Sequence, residues 1–279
     1  MQYGLKNIFR FYDDKEKQNR YYPYVHGNIT TWRLSTPTTL LPSFQIQVAT
    51  GKVIGDVTVY LVDLDDAETD ITAYFDITGN DATLYIQDFD DFEYLIYNAS
   101  KALETSIGKG TWYLKIDVDS VLYYSEVFCV VDTSGYLSIE YYNSSDVDSI
   151  DYTNGDYEQY TNKLLINTKL TKAEYEYEEE GTENGDGEFL PTFMKRTKRY
   201  KFVFYAPEYI LDAITLIPMH SSVTVITDSG EGTTETITVA RNKFYVNDIF
   251  WTDTKGFAKV SCEFWTDPVV VTNYANNVT

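Results

Sequence analysis

The sequence predicts a mostly β fold: two β-sandwich-like domains, the N-terminal one immunoglobulin-like, with one short helix in the second. Short runs rich in Val, Ile, Thr, Tyr and Phe recur along the chain, turn residues separate them, and a single segment places its apolar residues at helical spacing. The length, 279 residues, exceeds the usual single domain and suits two; one large all-β domain is the other reading of the same length.

Residues 1–28 read as an N-terminal arm and residues 29–134 as the first sandwich. Strands are expected there at Thr31–Leu34, Ser43–Val48, Asp56–Val62, Ile71–Phe75, Thr83–Gln87, Phe92–Tyr97, Thr111–Val118 and Tyr123–Val131. Thr50-Gly51-Lys52, Thr78-Gly79-Asn80-Asp81 and Gly108-Lys109-Gly110 supply turns, and Pro37 and Pro42 fit the margins of an edge strand. Residues 135–160 read as a linker or long loop, because the polar stretch Asn143–Gly155 buries little. The second β domain, 161–279, resumes with strands near 163–167, 170–180, 194–205, 222–227, 234–240, 243–247, 257–265 and 268–272. Its helix is Pro207–Ile214: Pro opens the first turn, Glu208 follows early, Ile210, Leu211 and Ile214 share a face, and Pro218 stops it.

Composition narrows the function classes. The formal charge of -21 sets the average surface against a phosphate backbone, so nucleic acid is not expected as a partner. Such acidity either keeps a protein soluble at high concentration or complements a basic partner. The 26 Tyr far outnumber the 15 Phe and 4 Trp, and Tyr serves both half-buried sheets and protein interfaces. Cys129 and Cys262 each lie in an apolar strand-like run and read as buried thiols. Two cysteines make no disulfide framework, and with only His26 and His220 no zinc site is expected; no cofactor is expected either. The N-terminal stretch lacks the apolar core and cleavage site of a signal peptide, and no run approaches the roughly 20 apolar residues that span a bilayer. Synthesis in the cytoplasm, solubility and no membrane insertion are therefore expected.

The sharpest local feature is Ala173–Glu180. Strict alternation puts Glu174, Glu176 and Glu178 on one face of a strand and Tyr175 and Tyr177 on the other. The Gly-rich acidic loop Gly181–Glu188 follows, and then a strand carrying Lys195, Arg196, Lys198, Arg199 and Lys201. A hairpin near 170–205 would set Glu174 and Glu176 against basic residues of the returning strand. It reads either as a projecting arm that inserts between subunits, with Glu174, Tyr175, Glu176, Tyr177, Arg196 and Lys198 as contact residues, or as a solvated hairpin whose exposed pairs contribute about 0–1 kcal/mol each.

Other chemistry is less well supported. Asp63–Asp70 and Asp146–Asp151 crowd carboxylates into turns, but neither has the Gly and Glu positions of an EF-hand loop, so no metal site is expected. Neither His26 nor His220 sits in a nucleophile motif, no phosphate-cradling Gly loop is present, and no catalytic residue is assigned; the chain is not expected to be an enzyme. Paired carboxylates for glycoside hydrolysis are not distinguishable among so many acids. Trp112 lies mid-strand and reads as core, whereas Trp251 and Trp265, near strand ends, are the candidates for a sugar-stacking platform.

Leu41-Pro42-Ser43-Phe44-Gln45-Ile46, Gly108–Ile116 and Tyr123–Phe128 together form a pattern that resembles structural proteins of tailed phages and prophages of gut Bacteroidales, crAss-like phages included. The acid-Gly-basic segment Tyr175–Lys201 and the run Tyr209–Ile217 are similar to the same group, so the resemblance covers most of the chain. It implies a virion component of tail, neck or baseplate, assembled in the host cytoplasm as a ring or symmetric oligomer with other tail or neck proteins. It assigns no functional residue.

Overall fold

The computed structural model describes residues 2–3, 8–16, 33–89, 92–145, 159–183, 185–228, 234–252 and 257–272. His26, Trp32 and residues 146–158, which include Asp146–Asp151 and make up half of the expected linker, lie outside these. The described residues are mostly β-strand with one short helix. The first half contributes β1 (Gln2–Tyr3), β2 (Phe11–Tyr12), β3 (Leu34–Pro37), β4 (Phe44–Val48), β5 (Val57–Val62), β6 (Glu68–Asp70), β7 (Leu84–Phe89), β8 (Phe92–Tyr97), β9 (Gly110–Val118), β10 (Val121–Ser125), β11 (Phe128–Val131) and β12 (Leu137–Tyr142). The second contributes β13 (Asn162–Ile166), β14 (Glu174–Glu183), β15 (Phe189–Pro207), helix α1 (Glu208–Leu216), β16 (Ser222–Asp228), β17 (Thr234–Trp251), β18 (Phe257–Thr266) and β19 (Val269–Thr272).

In the first half, the three-stranded sheet β4-β8-β7 faces the strands β2-β10-β9-β5, and alternate residues of each fill the space between. Phe11 of β2 meets Phe44 of β4 with ring centroids 4.8 Å apart, and Phe9 stands edge-on to Phe128 at 5.4 Å. The expected arm thus supplies fully buried core residues, Phe9 and Phe11 among them. The outer side of the small sheet is covered by Tyr160, packed with Tyr85 and Ile96. Asn98 holds that segment in place: its side chain donates to the Gln159 carbonyl at 3.1 Å and accepts from the Thr161 amide at 3.2 Å.

Pairing then runs from β11 through β3, β13 and β12 to β16, and one network of buried side chains extends from Phe9 to Phe264. Three local expectations are corrected here. Within the stretch read as linker, Leu137–Tyr142 is a strand between β13 and β16, with Leu137, Ile139 and Tyr141 buried. Ile71–Phe75 is not a strand: Thr72–Tyr74 form a 3-10 turn, because the Asp70 carboxylate accepts from the Thr72 amide at 2.9 Å and the Thr72 hydroxyl accepts from the Val59 amide at 2.9 Å. Tyr123–Val131 is broken into β10 and β11 at Glu126, whose amide donates to the Arg10 carbonyl at 2.8 Å.

The second half turns on two long strands. β17 pairs with β16 over Thr234–Thr238 and with β18 over Phe244–Trp251, and a bulge centred on Ala240–Lys243, with Asn242 at φ 57°, carries it from one partner to the other. β15 pairs with β14 as far as Arg199 and with β18 from Arg199 to Pro207. Tyr200, Phe202, Phe204 and Ala206 point into the core, where Phe202 lies 6.2 Å from Phe244 and Tyr200 stacks on Phe264 at 5.3 Å. Helix α1 follows Pro207 as expected and buries Ile210, Leu211 and Ile214. His220, which sits in no nucleophile motif, is buried after it; its Nδ1 is 2.8 Å from the Leu216 carbonyl, and burial holds its pKa below the ordinary value.

Candidate contact surface

The hairpin begins where core packing stops. All ten residues of β14 are exposed, and β14 is the terminal strand of its sheet. The register sets Glu174 opposite Arg199, Tyr175 opposite Lys198, Glu176 opposite Thr197, Tyr177 opposite Arg196 and Glu178 opposite Lys195. β19 covers the other edge of β15 over Phe193–Arg196, making the arm three-stranded at that level. Between Glu180 and Gly181 the register slips; Thr192 is skipped in the β14 ladder, its hydroxyl donates to the Glu180 carbonyl at 3.1 Å, and Pro191 pairs with Gly181 beside the slip.

The two faces differ in chemistry. On the carboxylate face Lys201 donates to Glu174 at 3.0 Å and Lys195 to Glu178 at 2.8 Å; the hydrogen bond from Lys201 holds the Glu174 carboxyl below its ordinary pKa. Arg199 is the hub at the base of the arm. Its Nε donates to Glu263, a buried carboxylate, at 2.9 Å, its Nη1 lies 3.5 Å from Glu174, and its guanidinium sits 5.0 Å over the Trp265 ring. On the other face Tyr175 and Tyr177 are 51% and 65% exposed, and Arg196 lies 5.7 Å over the Tyr175 ring. Tyr175 and Lys198 also line a groove of about 950 Å³ together with Tyr136, Tyr200, Lys169 and Lys172. Arg196 and Lys198, with Tyr175 and Tyr177, therefore share one face, and Glu174 and Glu176 the other.

The two tryptophans do not form one platform. Trp265 is half-buried: its indole N–H donates to Glu176 at 3.0 Å, Tyr245 stands edge-on at 5.4 Å, and Arg199 covers a face. Trp251 is 56% exposed and opposite Ala258, which is seven positions from Trp265 on β18, about 24 Å at ~3.4 Å per residue and, by odd spacing, on the other side of the sheet. Trp112, read as core, is half-buried and packs against it, its N–H donating to the Gly108 carbonyl at 3.0 Å.

The acidic turn Asp63–Asp70 spends its carboxylates on its own chain. Asp63 accepts from the Asp65 and Ala67 amides at 2.9 and 2.8 Å, Asp66 pairs with Lys15 at 2.5 Å and Glu68 with Lys115 at 2.7 Å. Of the thiols, Cys262 is buried and pushed up to about 12, whereas Cys129, expected to be buried, is only partly so, beside the Thr111 hydroxyl of the neighbouring strand.

One cluster has no sequence signature. Glu126, between β10 and β11, accepts from the Arg10 amide at 3.1 Å and from the Tyr209 hydroxyl at 2.5 Å, while the Arg10 guanidinium stacks 3.7 Å over the Tyr209 ring. Burial raises the Glu126 carboxyl to about 7, against the lowering by Tyr209 and Arg10, and lifts the Tyr209 hydroxyl well above its ordinary range. The cluster ties the Phe9–Phe11 segment to helix α1.

Beyond the hairpin, the outer side of β15-β18-β17 carries Val203, Tyr205 and Phe250 at 42%, 52% and 62% exposure, and Tyr205 stacks on Phe257. Sequence reasoning missed this patch; the alternation of Val203 and Tyr205 with Phe202 and Phe204, within the strand expected near 194–205, was the signal for it. No family model, curated protein or solved structure matches the chain.

Proposed function

We propose that the chain is a structural component of a phage virion, a ring-forming or adaptor part of the tail, neck or baseplate, and that it works by protein–protein assembly rather than by catalysis. The observation that carries the reading is the arm β14–β15: ten consecutive exposed strand residues leave the core and end in an acidic tip, with a sheet edge that no strand covers among the described residues. An exposed apolar patch at Val203, Tyr205 and Phe250 lies beyond its base and adds area suited to a neighbour. The resemblance of Leu41–Ile46, Gly108–Ile116 and Tyr175–Lys201 to phage structural proteins supplies the setting. Subunits related by rotation meet through unlike surfaces, which suits an arm on one and a receiving face on the next.

Light scattering on the eluting species, together with mass spectrometry of purified particles, tests it. Ring-sized species or a fixed copy number in particles are expected; a monomer in the presence of every tail and neck protein would overturn it. A second reading, a carbohydrate- or receptor-binding module of a virion, is favoured by the groove of Tyr136, Tyr175 and Tyr200 with Lys169, Lys172 and Lys198. Glycan-array binding that is lost on Tyr175→Ala or Trp251→Ala supports it, and arrays that stay blank reject it.

A further inference from the structure

The free edge of β14 has a chemistry that selects its occupant. β14 is paired on one side by β15, and among the described residues no strand lies on its other side. Nearer the core, the corresponding edge of β15 is closed by the segment before β14: the Thr171 amide donates to the Lys201 carbonyl at 2.8 Å and the Thr168 hydroxyl to the Val203 carbonyl at 2.7 Å. The protein covers this sheet edge up to Lys201 and leaves it open along β14. Open backbone donors and acceptors in an extended strand are a template for one more strand.

Charge decides which strand. Glu174, Glu176 and Glu178 have cationic partners, but no ion pair joins Glu179, Glu180 or Glu183 to another described residue. The outer half of the edge, at Glu179, Glu180 and Glu183, is therefore negative charge with no ion pair to another described residue. A second copy is a poor occupant. Two β14 strands paired about a two-fold at Tyr177 would set Glu174 against Glu180 and Glu176 against Glu178, and like charges directly opposite are destabilising. A strand with Lys or Arg at alternate positions meets both requirements, the backbone ladder and the carboxylates.

We propose that the open edge of β14 receives an extended, basic segment of a different protein, which adds to the sheet as a further antiparallel or parallel strand beside Glu174–Glu183. This rests on the assembly reading above and names the partner chemistry for the arm. The segment contributes main-chain hydrogen bonds for affinity and alternating cations for register. The same carboxylates keep the edges of identical copies apart.

Hydrogen exchange of the full chain, followed by mass spectrometry, tests the proposal with a synthetic peptide in which Lys alternates with Thr. Amides of 174–183 are expected to slow about tenfold or more under saturating peptide. A Glu–Thr peptide and a Lys-rich peptide of equal charge interrupted by proline are expected to give no protection there. The variant Glu179→Lys/Glu180→Lys/Glu183→Lys, altered only at exposed positions, is expected to keep its near-ultraviolet circular dichroism and lose the protection. Equal protection by the proline-interrupted peptide would reduce the effect to charge alone and overturn the proposal, as would no protection of 174–183. If the triple variant enters particles at the copy number of the unaltered chain, the edge proposal fails while the assembly reading stands; if the unaltered chain enters no particle and forms no oligomer yet the Lys–Thr peptide protects β14, the reverse holds.

Discussion

The two ends of β15 use the same alternation for opposite purposes. From Arg199 to Pro207 the strand lies between the core and solvent, with Tyr200, Phe202 and Phe204 buried against Phe244 and Phe264. From Phe189 to Lys198 it keeps its ladder to β14 but, among the described residues, buries no side chain, and Tyr177 across from Arg196 stays exposed. Backbone pairing is continuous through both; apolar burial is not. The lesson is that the hydrogen-bonded ladder carries the strand outward, while stability is concentrated at the end that buries rings.

Substitutions at the two ends should separate these contributions. Phe202→Ala is expected to cost about 3–5 kcal/mol in a urea melt, by loss of ring burial and the cavity left behind. Next comes a pH effect at the seam where β15 passes into α1. The Glu126 carboxyl is raised in the folded state to about 7 from an ordinary 4.5, so the folded chain holds the extra proton in that window. Stability should fall as pH rises from about 4.5 to 7 and level off above it, and Glu126→Gln should flatten that slope in melts taken across the range. A flat slope in the unaltered chain would show that Glu126 is wetter than the Arg10–Tyr209 packing implies.

At the junction of the two ends, Arg199→Ala is expected to cost about 1–3 kcal/mol, because the buried Glu263 carboxylate loses its charged partner. Farther out, Lys195→Ala removes an exposed pair to Glu178 and is expected to change stability by about 0–0.5 kcal/mol. Tyr177→Ala should fall within about 0.5 kcal/mol of the unaltered chain in the same melt. A large loss at Tyr177 would erase the contrast, since it would mean that the arm packs on the body.

The arm was legible in sequence because its signals are local. Glu and Tyr alternate, glycines mark the reversal, and the return strand is basic, so a hairpin with Glu174 across from a cation follows from pattern alone; the structure sets Arg199 there. Phe92–Tyr97 was equally plain, as an apolar run bounded by acids and Asn98. β12 was hidden by its polar neighbours: Leu137, Ile139 and Tyr141 alternate correctly, but the stretch from Asn143 onward dominated the reading of the segment. Trp251 and Trp265 looked equivalent because both lie near strand ends, and only the pairing of Trp251 with Ala258 places them on opposite sides. The Arg10–Glu126–Tyr209 cluster had no local signal at all, its members being 116 and 83 residues apart.

Strand β2 carries a consequence for how the chain reaches this state. Phe11 and Tyr12 pair with Ser125 and Tyr124, and the rings of Phe9 and Phe11 pack on Phe44 and Phe128. During synthesis these early residues have no seat until β10 and β11 have emerged, so the first core closes late and by joining distant segments. At roughly 5–20 residues per second, the segment around Phe9 waits several seconds with its aromatic rings uncovered. Pairing of Phe11 and Tyr12 with strand residues more than a hundred positions later is the kind of long-range closure that slows folding and leaves apolar surface open to other partners in the meantime.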